Sequence, residues 1–233
     1  MSEQLLFPPE PTYTVPVTGE TALYPVRRIF CVGRNYEAHA REMGVEVDRE
    51  APFYFTKPAS AITLSGACVA YPPGTSNYHY EMELVVAIGA PAFKISVEDA
   101  LKVVYGYAAG LDMTRRDLQL AARAKQRPWD LGKAFEQSAI IAPITKAAAF
   151  GAVGQQRITL KVGEAIKQHA SLSDLVWSVA ELVSHLSGFY HLGPGDLIYT
   201  GTPEGVGPVV SGDAITGTID GLTPVQLSIG PPE

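Results

Sequence analysis

Cysteine is nearly absent from this chain: 233 residues carry two, Cys31 and Cys68. Each lies in an apolar, strand-like run, Ile29-Phe30-Cys31-Val32 and Ala67-Cys68-Val69. A disulfide framework or a thiolate metal cluster is therefore not expected, and both thiols read as core filler in a reduced, cytoplasmic compartment. Long hydrophobic runs are also missing. The longest, such as Ala139-Ile140-Ile141-Ala142, are far too short to span a bilayer, so no membrane association is expected. The opening Met-Ser-Glu-Gln lacks the positive n-region and apolar core of a secretory signal. No basic stripe or run of like charge occurs, and the net charge is −6, which speaks against a nucleic-acid partner. Internal repeats and low-complexity linkers are absent too.

What is present is a chain 46% hydrophobic, enough to bury a full core. Its 22 glycines and 18 prolines are scattered evenly between many short β-rich runs. This composition predicts an α+β, β-dominated fold with few short helices. Residues 1–28, with Pro8-Pro9, Pro11, Pro16 and Pro25, read as an extended N-terminal arm with one or two edge strands. Residues 29–233 read as a single domain.

The most informative stretch runs from Asn77 to Gly89. As one strand it places Glu81, Glu83, Val85 and Ala87 on one face and Met82, Leu84, Val86 and Ile88 on the other. Two neighbouring carboxylates on a largely apolar strand repel each other and lose hydration, and a divalent cation is the simplest compensation. A solvated edge strand would explain an isolated Glu-x-Glu equally well. A third acid, Asp112, ends the apolar run Val104–Leu111, where a carboxylate is costly unless paired or coordinated.

Other segments add candidates. Ile29–Gly33 reads as a buried strand, followed by a helix of about two turns with Asn35 as N-cap and Gly44 as its stop. On that helix His39 and Glu42 are three apart and can meet. A histidine oriented by a carboxylate is a workable general base, although a surface His beside a surface Glu fits the same spacing. The acidic segment Gly44–Pro52 (Glu46, Asp48, Glu50) reads as the hinge of a lid carrying that pair. Lys57, at the end of the strand 52–58, reads as structural or peripheral. A helix is expected over 96–104 and another over 113–124, the second placing Arg116 and Gln119 on one face. Lys133, between Gly132 and Ala134, has neighbours small enough to let its ammonium approach an anion. The hairpin 157–169 reads as purely structural. Ser173–Ser187 reads as one amphipathic helix whose His185 is satisfied or solvent-facing. The loop Gly201–Pro208 offers backbone amides and the Thr202 hydroxyl to a carboxylate.

In order along the chain, Gly33-Arg34-Asn35-Tyr36-Glu37-Ala38-His39, Tyr80-Glu81-Met82-Glu83, Leu111-Asp112-Met113-Thr114-Arg115-Arg116-Asp117-Leu118-Gln119, Gly132-Lys133-Ala134-Phe135 and Thr200-Gly201-Thr202-Pro203-Glu204-Gly205-Val206-Gly207 resemble the fumarylacetoacetate hydrolase superfamily. Arg127-Pro128-Trp129 leading to Lys133, and Tyr24–Ile29 leading into Cys31–Tyr36, are most similar to its fumarylpyruvate hydrolase (acylpyruvate hydrolase) group. The resemblance implies a mixed β-sandwich or β-roll of the family's C-terminal-domain type, a Mg²⁺ (or Mn²⁺) site and a homodimer. It implies Glu81, Glu83 and Asp112 as metal ligands, and His39, Glu42 and Lys133 as catalytic residues. Arg116, Gln119 and Thr202 would contact a small 2-oxo acid substrate. Two departures stand out. Glu136 replaces the Asp or Thr common near the lysine, with a bearing on substrate fit. Val162-Gly163-Glu164 replaces Asn-Gly in the hairpin turn, with none expected on chemistry.

The activity so implied is hydrolysis of the C–C bond of a 3-acylpyruvate, fumarylpyruvate to fumarate and pyruvate in gentisate-type aromatic degradation. Oxaloacetate decarboxylation, or isomerase or hydratase chemistry on related 2-oxo acids, would use the same site. A catalytically inactive 2-oxo-acid binding protein is the non-enzymatic alternative.

Overall fold

The computed structural model describes residues 5–44 and 49–233. The hinge expected between Gly44 and Pro52, with Glu46 and Asp48, lies largely outside the described residues.

One large mixed sheet carries the site. Its strands run in the order Phe53–Lys57, Arg28–Gly33, Asp196–Tyr199, Met82–Ile88, Val104–Asp112, Ala139–Ile141 and Ile62–Leu64, and Thr145–Lys146 also pairs with Val104–Asp112. A second sheet holds Ala165–Ser171, Arg157–Val162, Ala214–Ile219, Val225–Pro232 and Ala67–Tyr71 in that order. The two sheets pack face to face, as strands with opposed apolar faces must. Met82, Leu84, Val86 and Ile88 enter that main core with Ile158, Leu160, Ile215 and Leu227. Val85 and Ala87 enter a second core on the other face with Ile29, Cys31 and Tyr199. The expected alternation of faces is therefore seen. Residues of the N-terminal segment, Val15, Val17, Tyr24 and Val26, close this second core, and Thr14–Pro16 pairs with Leu23–Pro25 as a small ribbon. The β-dominated class with few short helices matches the expectation.

Several local expectations are corrected. The stretch from Tyr78 to Ile88 is two strands rather than one. Tyr78–Tyr80 belongs to a three-stranded sheet with Gly207–Val209 and Thr114–Arg115, and Met82–Ile88 belongs to the main sheet. Glu81 sits at the crossing between the two sheets. The expected helix over 173–187 is a short 3-10 turn, Leu172–Asp174, then a separate helix, Val179–Ser187. Ser178 breaks it, because its side chain accepts from the Glu181 N–H while Glu181 bonds back, a complete capping box. The helix over 113–124 begins at Arg116, and that over 37–42 has Tyr36 at its N-cap position, not Asn35, with no side-chain capping bond. Asn35 instead bridges segments: its Nδ2 donates to the Thr200 and Trp177 carbonyls, and its Oδ1 accepts from the Trp177 N–H. Cys31 is buried as expected, but Cys68 is exposed.

Candidate metal and active site

Strand pairing gathers the acids. Met82 lies opposite Leu111 and Glu83 opposite Gly110, and the Asp112 N–H donates to the Glu81 carbonyl at 2.9 Å. Glu81, Glu83 and Asp112 thus sit around one cross-strand pair, and one oxygen from each lies within 4.8 Å of the others. All three are buried. Gly110 leaves Glu83 without a facing side chain: a Cβ there would meet Val85 Cγ2 at 2.5 Å and the Ile140 carbonyl at 2.9 Å.

Cations close around the triad. Lys133 Nζ reaches Glu81 Oε2, Asp112 Oδ2 and Thr114 Oγ1, each at 2.7 Å. Arg116 forms an ion pair with Glu81 through Nη2 and donates from Nη1 to Gln119 Oε1 at 2.5 Å. Burial would raise the Glu81 pKa, but Lys133 and Arg116 overcome it and hold the carboxyl well below its usual range. Glu83 forms no ion pair, and the Lys133 charge is a lesser influence on it. Burial, with Asp112 and Glu81 adding, pushes its carboxyl well up against one bond from the Gly201 N–H at 2.8 Å. Burial lowers the Lys133 pKa, and Asp112 and Glu81 more than reverse it, so the ammonium is held charged.

Of the two readings of Lys57, structural or peripheral, the second is corrected: the residue is buried. It is fully within the site wall, its Nζ 2.9 Å from Asp112 Oδ1, and it bonds the Met113 carbonyl at 3.1 Å, Ser138 Oγ at 2.9 Å and the Lys133 carbonyl. Burial pushes its pKa down against the pull of Asp112. It fixes Asp112 and the backbone of Lys133 together. A lysine at a strand end gives no sequence signal that distinguishes this position from a solvated one.

The His39–Glu42 pair forms, with Nδ1 and Oε2 3.0 Å apart. A carboxylate at Nδ1 places the proton there and leaves Nε2 as an acceptor. Glu42 is itself held by the Gly205 N–H, 3.1 Å from Oε1 and 3.3 Å from Oε2. The loop 201–208 therefore does bind carboxylates through its amides, but those of Glu83 and Glu42. Both donors are glycines with positive φ, +99° at Gly201 and +88° at Gly205, conformations that suit glycine. At Gly201 a Cβ would also come within 2.8 Å of Asn35 Cβ.

The hairpin 157–171, read as purely structural, reaches the site through Gln168. Its Oε1 accepts from the Met82 N–H at 2.9 Å, and its Nε2 donates to Thr202 Oγ1 and the Pro203 carbonyl, both at 2.8 Å. With its oxygen accepting, Thr202 keeps its own proton for another acceptor. His79 is a second residue the sequence reading passed over. Burial and Arg116 lower its pKa to about 4, so it is neutral, donating from Nε2 to Asn77 Oδ1 at 2.8 Å and accepting from Arg116 Nε at 3.4 Å. Glu136 is exposed and lines a separate depression with Tyr78 and Arg115.

His39, Glu81, Glu83, Arg116, Gln119, Lys133 and Thr202 all line one cavity of about 50 Å³, room for one or two waters. The donor set at its floor fits a hard divalent ion. All three ligands are carboxylate oxygens; Asp112 Oδ1 is buried without an aligned hydrogen bond, and Glu83 is buried beside two other acids, its one hydrogen bond coming from the Gly201 N–H. Among the described residues no other cluster of this kind occurs, and no helix is long and apolar enough to cross a membrane.

Comparison with known proteins agrees with this geometry. Residues 28–229 match the family model described as fumarylacetoacetate (FAA) hydrolase, C-terminal. A fumarylpyruvate hydrolase from Ralstonia is 54% identical over 193 residues, covering 82% of this chain and 100% of the relative. An oxaloacetate tautomerase of Escherichia coli is 37% identical over 199 residues, 85% of this chain and 90% of its own length. The crystal structure of fumarylpyruvate hydrolase from Pseudomonas aeruginosa in complex with Mn²⁺ and pyruvate superposes with a TM-score of 0.94 at 49% identity, covering 98% of this chain and 100% of that one.

Proposed function

The chain belongs to the fumarylacetoacetate hydrolase family, and from that premise we propose that it hydrolyses the C–C bond of a 3-acylpyruvate, with fumarylpyruvate as substrate and fumarate and pyruvate as products. The observation that carries this reading is a cavity lined together by His39, Glu81 and Glu83, with Asp112 clustered against the two glutamates and Glu42 bonded to the His39 ring. The 54% identity to a fumarylpyruvate hydrolase and the Mn²⁺ and pyruvate in the structural relative support it.

Glu81, Glu83 and Asp112 would hold Mg²⁺ or Mn²⁺, which when bound polarises the 2-oxo end of the substrate and stabilises enolate charge. Arg116, Gln119 and Thr202 orient the 2-oxo acid end through N–H and O–H donors. His39 Nε2 takes a proton from water, and Glu42 at Nδ1 supports the imidazolium that results. The hydroxide adds to the acyl carbonyl carbon. The bond from that carbon to the pyruvate methylene then breaks, and its electron pair passes to the pyruvate oxygen as an enolate. The Lys133 ammonium, kept charged by its acids, sits beside that developing charge. Protonation at the methylene carbon completes pyruvate, while the acyl fragment leaves as the carboxylic acid.

Oxaloacetate chemistry is the second reading, favoured by the tautomerase relative at 37% identity. Decarboxylation passes through pyruvate enolate with loss of CO₂, and tautomerisation through the enolate of oxaloacetate itself; neither needs an attacking water. The two readings separate on His39→Ala assayed with fumarylpyruvate and oxaloacetate in Mn²⁺. The hydrolase reading expects fumarylpyruvate cleavage to fall by about 10²-fold or more, the scale of a lost general base, with Mn²⁺ and oxalate binding retained. Undiminished cleavage by His39→Ala would remove the proposed base. A homodimer and a cytoplasmic location remain part of this proposal; light scattering on the purified protein tests the first.

A further inference from the structure

A second cavity, of about 470 Å³, opens beside the first. The two share Arg34, Phe55, Arg123, Trp129 and Lys133 as lining, so a ligand seated on the triad extends into the larger space. That space has an unusual charge for a protein of net charge −6. Arg34, Arg123, Arg127 and Lys133 line it against one acid, Asp130. Lys133 is turned to the triad, which leaves three guanidinium groups for the outer end. Among the described residues neither Arg34 nor Arg127 is paired with an acid; Arg34 lies over the Phe53 ring at 5.6 Å. Arg123 donates to the Met43 carbonyl at 3.2 Å, at the end of the helix that carries His39.

The wall between triad and arginines is aromatic. Trp129 packs against Phe53 and Phe55, with ring centroids 5.0 and 5.8 Å apart. Backbone strain gathers here too. Of the four non-glycine residues with positive φ among the described residues, Arg34 (60°) and Gln126 (52°) both line this cavity. A left-handed arginine is held by its surroundings at a cost, which is a mark of functional placement.

We infer that Arg34, Arg123 and Arg127 form a distal anion subsite that selects acylpyruvates whose acyl group is a planar or apolar spacer ending in a second carboxylate. This deepens the hydrolase reading, taking from it the seating of the 2-oxo acid end on the triad. The aromatic wall receives the spacer, and the guanidinium groups receive the terminal carboxylate, for which their planar fork is suited.

The test is a binding measurement that needs no turnover. Calorimetry on the Mn²⁺-loaded protein compares 2-oxoheptanedioate, which has the seven-carbon diacid chain of fumarylpyruvate but no scissile 1,3-diketone, with 2-oxoheptanoate, its monoacid counterpart. The diacid is expected to bind at least about ten-fold more tightly, the scale of one charge-assisted contact at a half-open site. In Arg34→Met/Arg127→Met, both at exposed positions, that ratio should fall toward one. A ratio near one in the parent protein, or a ratio that survives the double substitution, overturns the subsite. Fumarylpyruvate turnover is measured alongside. Diacid preference that is lost in the double variant, in a protein that cleaves no acylpyruvate, would sustain the subsite and refute the hydrolase.

Discussion

Replacing Lys57 with methionine removes one of the cations that surround the buried acids and leaves a side chain of similar volume. In the parent protein Lys57 Nζ lies 2.9 Å from Asp112 Oδ1 and also satisfies the Met113 carbonyl and Ser138 Oγ. Both partners of the ion pair have fully buried side chains. Removing one member of an isolated buried pair costs about 3–5 kcal/mol; Lys133 still holds Asp112 Oδ2 at 2.7 Å, so a loss of about 3 kcal/mol is expected here. For a chain of this length each kcal/mol moves Tm by about 2–4 °C, so the metal-free variant should melt roughly 6–12 °C lower. Added Mn²⁺ should restore part of the loss, because an ion at 100 times its Kd stabilises the folded state by about 2.7 kcal/mol. Lys57→Met/Asp112→Asn should lose less than the two single changes added together, since both changes break the same Lys57–Asp112 contact. Differential scanning calorimetry with and without Mn²⁺ reads all of these. A metal-free Lys57→Met that melts with the parent, or strictly additive losses in the double variant, would refute the assignment of Lys57 as the clamp on Asp112.

Two further outcomes follow from the same contacts. Asp117 accepts from the Ser76 and Leu118 N–H groups at 3.0 and 2.9 Å and from Thr75 Oγ1 at 2.5 Å, and these bonds outweigh partial burial to lower its pKa. Its folded pKa lies below the unfolded value near 3.8, so the stability it lends is full above about pH 4 and lost as pH falls through the lower folded value; Asp117→Asn should therefore cost about 1–2 kcal/mol at pH 7 and progressively less in acid, read by urea unfolding at several pH values. Gln168→Leu frees the Thr202 hydroxyl to turn and should raise KM for the acylpyruvate by about ten-fold with a smaller change in kcat, the pattern expected when a substrate-orienting donor is misplaced. A change confined to kcat would count against that role.

The acids were legible in the sequence because charge is costly in an apolar strand, and the cost is visible without coordinates. Glu83 and Asp112 each interrupt a run that otherwise fills two cores. His39 and Glu42 were legible through helical spacing, and Lys133 only through its company. Lys57 was not, because a strand-end lysine looks alike whether its ammonium meets water or Asp112. Gln168 was hidden for a related reason: it lies in a hairpin whose pattern is accounted for by pairing, and its target, Thr202, is 34 residues away. The break at Ser178 shows a local signal outweighing a periodic one, since Ser178 and Glu181 form a capping box inside an apolar pattern that continues on both sides. The crossing at Glu81 could not be read from alternation alone, because the same period of two persists through both strands.

Everything rests on three carboxylates acting as one site for a divalent ion. Titration of Mn²⁺ into metal-stripped protein, followed by calorimetry, addresses that directly. One ion per chain is expected, with uptake weakened at least about ten-fold in Glu83→Gln, which removes one of the three clustered carboxylates. Absence of uptake, or uptake undiminished by Glu83→Gln, would contradict the account.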